Sequence, residues 1–165
     1  MHPFHIILFT AALVLAGVLL SNIPRSLVGT WRLISIKARY EGGETRYPFS
    51  PKAIGQLMYA IDGSMSVFTI QPERPPFSSG DMRGGTDSEV RAAFEGFLGY
   101  FGTYSVDATK GIVTHHVQGA FLPNWEGHDQ IRYYKLEDKR LTLTSPTVIL
   151  GGQRCELIVD WERVD

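Results

Sequence analysis

The residues best suited to chemistry are two adjacent histidines, His115 and His116, in a β-prone stretch of the chain. Successive side chains of a regular strand point to opposite faces, so these two imidazoles cannot bind one metal ion together. His128 would have to be the third ligand, and no cysteine or carboxylate completes a recognised spacing. The sequence therefore predicts no metal site and no cofactor.

Strand periodicity predicts the direction of each histidine. His115 shares a face with Val113 and Val117, which indicates an inward side chain, whereas His116 is expected to face solvent or a covering element. An inward histidine is either a hydrogen-bonded structural residue or a group that meets a ligand or works as a general acid or base. An ordinary pKa of about 6.5 suits both functional roles.

Five further side chains are candidates for contacts with a ligand. Arg132 lies in a strand with apolar residues on both faces, so its direction stays open; if it is inward, it needs a carboxylate or an anionic ligand. Tyr59 and Tyr104 each combine an apolar ring with a hydroxyl, which suits orienting a ligand or filling a core. Trp125, beside Asn124 in a loop bounded by proline and glycine, is expected to cover a cavity entrance or to pack outside.

The elements that position these residues are strands separated by turn residues. Asp62-Gly63 between two apolar runs predicts a hairpin. We expect eight strands, over residues 27–40, 54–61, 65–70, 104–106, 112–119, 130–136, 141–145 and 155–164. In the last strand Cys155, the only cysteine, alternates inward with Leu157, Val159 and Trp161. Eight up-and-down antiparallel strands close into a barrel that can hold one small ligand, so the predicted class is all-β.

One amphipathic helix is predicted between the third and fourth strands. Thr86 and Glu89 form a capping-box pattern at its start, and Gly99 and Gly102 are expected to stop it. With the proline- and glycine-rich loop 71–85, we expect this helix to pack on the barrel and cap its mouth. Its apolar stripe is predicted to comprise Val90, Ala93, Phe94, Phe97, Leu98 and Phe101.

Composition excludes several functional classes. The net charge of −1 leaves no electrostatic footprint for nucleic acid. A single cysteine cannot form an intramolecular disulfide. The sequence also contains no nucleophile elbow, phosphate loop, dinucleotide fingerprint or HEXXH motif.

The first residues form an apolar leader that we expect to be helical. The run from Ile6 to Leu20 would span roughly 22 Å as a helix, short of the ~30 Å hydrocarbon core. Residues 1–21 are therefore interpreted as a signal peptide or a short membrane anchor, and residues 25–165 as the barrel domain. This division predicts entry into the secretory pathway, with the protein either secreted or tethered to a membrane through residues 4–20.

Several segments resemble a known family. Gly29-Thr30-Trp31 is similar to the Gly-X-Trp of lipocalins, which implies that Trp31 closes the barrel floor beneath an arginine of the last strand, here Arg163. The segments LVGTWRLIS (27–35), YPFSPKAIGQLMYAIDGSMSV (47–67), RPPFSSGD (74–81), AAFEGFLGYFGTYSVD (92–107), THHVQGAFLPNWEG (114–127) and LTLTSP (141–146) resemble small lipocalin-like domain proteins of bacteria and fungi. Related barrels include cyclases and Diels–Alder catalysts, so the resemblance implies that such chemistry is open to this fold.

Two functional hypotheses follow. The first is a lipocalin-like barrel that holds a small hydrophobic ligand in its interior. The residues expected to contact the ligand are His115, Tyr59, Tyr104, Arg132, Trp125 and Asn124. The alternative is a cofactor-free isomerase, cyclase or dehydratase that acts on a hydrophobic intermediate of a natural-product pathway, with His115 as acid or base. A tethered interaction module is a third interpretation, which an exposed apolar patch would favour.

Overall fold

The computed structural model describes residues 23–164, so the predicted leader lies outside the described residues. It contains one α-helix, α1 (Asp87–Glu95), and a short 3-10 turn at Pro123–Trp125. No helix within residues 23–164 is long and apolar enough to cross a membrane. The strands are β1 (Gly29–Tyr40), β2 (Thr45–Arg46), β3 (Ile54–Tyr59), β4 (Ser64–Ile70), β5 (Phe97–Asp107), β6 (Ile112–Ala120), β7 (Asp129–Glu137), β8 (Arg140–Thr144), β9 (Val148–Leu150) and β10 (Gln153–Arg163).

Eight of these strands form the predicted closed antiparallel barrel. β1, β3, β4, β5, β6, β7, β8 and β10 pair in that order, and β10 pairs back to β1 to close the sheet. The two short strands β2 and β9 extend the outer edges of β1 and β10. Because each long strand pairs with its neighbour in sequence, alternate side chains of every strand point into one interior.

The hairpin between β3 and β4 forms where Asp62-Gly63 predicts it. Gly63 has a φ of 86°, a conformation that glycine adopts without strain. The Asp62 carboxylate accepts hydrogen bonds from the backbone N–H and the hydroxyl of Ser64. These contacts fix the turn and hence the register of the two strands.

One end of the barrel is closed by packed side chains. The Trp31 ring is fully buried, and its indole N–H donates to the carbonyl of Leu27 over 3.0 Å. The Arg163 guanidinium lies 4.2 Å from the centre of the Trp31 ring and donates to the carbonyls of Val28 and Ser26. This is the floor that the Gly-X-Trp resemblance implies, and it leaves the opposite end as the entrance.

The helix lies between the third and fourth strands of the barrel, as predicted, but it is shorter than its apolar stripe suggested. The capping box of Thr86 and Glu89 is present, and the helix ends at Glu95 with Gly96 as its C-cap. The continuation of the stripe, from Phe97 to Phe101, belongs instead to β5, where it pairs with β4. The hydrogen bonds gained by pairing with β4 outweigh the helical spacing of the apolar residues here. Gly96, Gly99 and Gly102 also make this part of the chain a poor helix former.

The helix also does not cap the barrel by burying an apolar face. None of its residues is buried, and Phe94 contacts Phe121 on the rim at 4.6 Å between ring centres. Loop residue Arg74 donates to the carbonyl of Ala93, and the backbone N–H of Ser78 donates to the Glu89 carboxylate. The helix is thus attached to the barrel without a buried apolar face.

Candidate functional site

A buried hydrogen-bonded triad forms the polar centre of the barrel. His115 on β6 points inward, as predicted, with only 1% of its surface exposed. Its Nε2 lies 2.6 Å from the hydroxyl of Tyr59 on β3, and its Nδ1 lies 2.8 Å from the hydroxyl of Tyr100 on β5. The hairpin of β5 and β6, together with the distant β3, therefore brings one imidazole and two phenols into a chain.

Burial determines the protonation of this triad. Desolvation lowers the pKa of His115 well below 6.5, and the positive charge of Arg132 lowers it further. Desolvation also raises the pKa of Tyr59 well above 10 and raises that of Tyr100. At neutral pH the imidazole is uncharged and both hydroxyls keep their protons.

Arg132 on β7 points into the barrel, which settles the direction that the sequence left open. It pairs with Val113 across the sheet, and residues that pair directly share a face. Its guanidinium donates to the carbonyl of Ile131 over 2.7 Å and to the side-chain oxygen of Gln130 over 3.4 Å. The residue is 9% exposed, and no carboxylate of residues 23–164 lies within 4.0 Å of it. Arg132 is therefore a buried cation with no counter-ion in the described part of the chain.

Two spaces that share lining residues lie beside this polar centre. An inner chamber of about 40 Å³ is lined by His115, Tyr100, Trp161 and Thr69 together with apolar side chains. An outer cavity of about 400 Å³ opens toward the mouth and is mainly apolar. Both spaces are lined by Leu98, Trp125, Arg132 and Leu157.

Trp125 stands at the junction of the two spaces. The 3-10 turn Pro123–Trp125 holds it between β6 and β7, and its ring meets the Tyr100 ring edge-on at 5.5 Å between centres. The preceding Asn124 is exposed and does not line either space. Trp125 thus lines both spaces, while the role of Asn124 as a ligand contact stays a prediction.

Tyr104 supports the triad from below. Its hydroxyl donates to the carbonyl of Ala60 over 3.0 Å, and its ring lies 4.5 Å from the Tyr59 ring. Burial raises the pKa of Tyr104 to about 12. Tyr104 does not line the inner chamber or the outer cavity, so its contact with a ligand also stays a prediction.

Two residues of the chamber were not identified from the sequence as site residues. Tyr100 lay within the segment assigned to the helix; a strand starting at Phe97 would have put it on the same face as Tyr104. Trp161 was expected to be inward, and it is, at 2% exposed. Its indole N–H is buried without a hydrogen-bond partner among the described residues. The lack of a partner depends on the tertiary structure and could not be read from the sequence.

His116 points outward and takes part in a separate chain. Its Nδ1 lies 2.7 Å from the Asp129 carboxylate, and its Nε2 lies 2.9 Å from the Ser105 hydroxyl. This order of hydroxyl, imidazole and carboxylate matches a nucleophilic triad. The three residues lie on the outer face of paired strands, where the neighbouring N–H groups are used in the sheet. No oxyanion hole can form from those groups, so the inner cluster is the better candidate site.

Comparisons with known proteins identify the family of this chain. A family model described as a lipocalin-like domain matches residues 28–164. A curated relative, the 4'-hydroxy-3'-methoxypropiophenone carrier protein ppsC of Aspergillus oryzae, is 29% identical over 109 residues, covering 61% of this chain and 96% of that protein. A crystal structure of a lipocalin-like protein from Bacteroides uniformis covers 84% of this chain and 99% of its own, with 15% identity and a TM-score of 0.42. On the family match over nearly all described residues, this chain belongs to the lipocalin-like domain family.

Proposed function

We propose that the barrel binds a small, largely apolar molecule in its interior. The observation that carries this proposal is the apolar outer cavity of about 400 Å³, which shares lining residues with an inner chamber that contains His115, Tyr100 and Arg132. Protein interiors are otherwise close-packed, and ligand pockets start at about 300 Å³. A space of this size, with a few polar groups at its base, suits one ligand held in one orientation.

The curated relative supports carriage of such a ligand. Its name describes a carrier of 4'-hydroxy-3'-methoxypropiophenone, an aryl ketone with a phenolic oxygen. A molecule of that kind has an apolar ring and a few oxygen atoms, which is the balance that this cavity offers. We therefore place the protein among carriers of small metabolites rather than among proteins that bind macromolecules.

A neutral fluorophore tests interior binding. N-phenyl-1-naphthylamine should bind with saturable fluorescence enhancement at one site per chain. Leu98 lines both the inner chamber and the outer cavity, so Leu98→Trp should fill part of the interior and abolish binding. Thr103→Trp, on the outer face of the same strand, should leave binding unchanged. Equal binding by both variants would show that the dye sits on the surface and would refute the proposal.

A cofactor-free isomerase is the second candidate, and the Tyr59–His115–Tyr100 triad favours it. With His115 in the tautomer whose Nε2–H donates to Tyr59, the Tyr100 oxygen can take a proton from the carbon beside a substrate carbonyl while its own proton passes to Nδ1 of His115, and the reverse transfers return it. Enolisation of a ketone needs only these two transfers, in a site from which water is largely excluded.

Deuterium exchange separates the enzyme from the carrier. The protein should accelerate incorporation of solvent deuterium at the α-carbon of 4'-hydroxypropiophenone, followed by NMR, and His115→Phe should lose the acceleration. Exchange at the rate of buffer, with tight binding of the same ketone, would leave carriage as the function.

We also propose that residues 1–21 take the protein into the secretory pathway. Cell fractionation with N-terminal sequencing of the mature chain tests this, because a cleaved leader, a membrane-tethered chain and an intact cytosolic chain give different results.

A further inference from the structure

We propose that the inner chamber binds an oxyanion, a carboxylate or an ionised phenol or enol, through Arg132, Trp161 and Tyr100. The apolar body of the same molecule would fill the outer cavity. This inference rests on the proposed ligand binding and specifies the chemical class of the ligand.

Arg132 supplies the charge. A guanidinium has five N–H donors, so its contacts with Ile131, Gln130 and the Tyr100 hydroxyl leave donors free. It lines both spaces, and within residues 23–164 no carboxylate is close enough to pair with it. A buried charge without a counter-ion is strongly unfavourable, so the chamber is electrostatically incomplete until an anion enters.

Trp161 supplies a second donor. Its indole N–H is fully buried, and it has no acceptor in the part of the chain that the structure describes. The Trp161 side chain lines the inner chamber together with Arg132. An indole N–H can only donate, and a buried donor usually has a partner, so a ligand oxygen is the group that would satisfy it.

Tyr100 supplies a third donor because of the way His115 is shared. A neutral imidazole carries one N–H and one bare nitrogen, yet both nitrogens face tyrosine hydroxyls. One hydroxyl donates to the bare nitrogen; the other accepts from the N–H and keeps its own proton available. Tyr100 lines the chamber and Tyr59 does not, so Tyr100 is the hydroxyl that can turn its proton toward a ligand.

The three donors together select the charge of the ligand. With His115 neutral and both tyrosines protonated, the chamber carries the single positive charge of Arg132. A cation is repelled, and a neutral carbonyl accepts hydrogen bonds but leaves that charge uncompensated. An oxyanion has enough lone pairs for all three donors and also neutralises the guanidinium.

Chamber size limits the part of the ligand that reaches these donors. About 40 Å³ is room for a head group of a few atoms, whereas the outer cavity of about 400 Å³ accepts a bicyclic ring. The arrangement therefore fits a molecule with its acidic oxygen at one end.

Calorimetric titration with matched probes tests the inference. The probes are 2-naphthoate, naphthalene-2-carboxamide, which has the same ring and shape without the charge, and 2-naphthol. The natural protein should bind 2-naphthoate about tenfold or more tightly than the carboxamide. Naphthol distinguishes the sources of an oxyanion: a phenolate site takes it up ionised, seen in its absorption band, and a carboxylate site leaves it neutral.

Variants assign the preference to the chamber. Arg132→Met should bring the two naphthalene affinities within about twofold of each other, while Arg140→Met, which removes an exposed arginine of β8, should leave the preference intact. Trp161→Phe keeps an apolar ring and should weaken 2-naphthoate binding by about threefold to tenfold.

The possible failures can be told apart. If the natural protein binds the carboxamide as tightly as 2-naphthoate and does not ionise naphthol, the oxyanion inference is wrong although interior binding stands. If none of the three probes binds, the proposed function itself is in doubt. Should Arg132→Met not fold, the selectivity of the natural protein and the Trp161→Phe result still decide.

Discussion

The substitution Arg132→Met should make the ligand-free protein more stable. The residue is 9% exposed and has no carboxylate within reach among residues 23–164; its guanidinium donates to Ile131 and, over a long 3.4 Å, to Gln130, and its other polar neighbour is the uncharged Tyr100 hydroxyl. Methionine has a similar reach and no charge to desolvate. Burying this charge destabilises the ligand-free fold, so an arginine is expected at this position only if a ligand requires its charge.

The magnitude is the difference between two opposing effects. Relief of a buried, uncompensated charge is worth several kcal/mol, roughly 3–5 kcal/mol. The lost charge-assisted hydrogen bond to Ile131 gives back about 1.5–3 kcal/mol, and the long contact to Gln130 very little. The free energy of unfolding should therefore rise by about 2 kcal/mol, which raises Tm by roughly 6 °C for a domain of this size.

Urea unfolding of the ligand-free protein, followed by circular dichroism, is the appropriate assay. Two further variants serve as controls. Arg132→Lys keeps the charge and should give no gain, and Arg140→Met removes an exposed charge and should change the unfolding free energy by no more than about 0.5 kcal/mol. A loss of more than about 1 kcal/mol in Arg132→Met would mean that the guanidinium is satisfied within the fold, and the electrostatic reasoning would be refuted.

Four further predictions concern the rest of the barrel. Burial holds the pKa of His115 in the folded state below 6.5, the pKa of the unfolded chain, so the unfolded state binds a proton first as the pH falls. Below pH 6.5 the free energy of unfolding of the natural protein should therefore fall, relative to that of His115→Phe, by up to about 1.4 kcal/mol per pH unit. Parallel pH–stability curves for the two proteins would contradict this. Arg163→Ala removes a cation–π contact and two carbonyl hydrogen bonds from the floor, and its urea midpoint should reveal a loss of about 2–3 kcal/mol. Gly102→Ala places a methyl group 2.0 Å from the carbonyl oxygen of His116, so the variant should unfold at least about 3 kcal/mol more easily, and an unchanged Tm would rule out this strand register. Trp125→Ala removes a large ring that lines both spaces, and stopped-flow measurements should show faster release of N-phenyl-1-naphthylamine, by about tenfold, with the association rate changing less.

Features of local sequence were predictable. The alternation of apolar residues identified the eight barrel strands, although the fourth begins at Phe97 rather than Tyr104. The Asp62-Gly63 turn and the Thr86 capping box were also readable, because each involves residues only a few positions apart. The inward direction of His115 followed from its valine neighbours by the same period of two.

Contacts across the barrel were not predictable in this way. Tyr59 meets His115 from 56 residues away, through pairings that depend on the closure of the whole sheet. The period of the Arg132 strand was ambiguous because Ile131 and Tyr133 are apolar but exposed on the outside. The inward direction of the Arg132 side chain follows from its cross-strand pairing with Val113, which is a tertiary contact.

By itself, the sequence determined the strands, the principal turns, the start of the helix and the face on which His115 lies, because these depend on periodicity and on neighbours within a few residues. Only the tertiary structure decided that Tyr59 and Tyr100 share His115, that Arg132 is buried with no counter-ion among residues 23–164, and that a cavity remains beside it. The physical reason is that burial and pairing of a charge depend on every strand that surrounds it, and no local pattern contains that information.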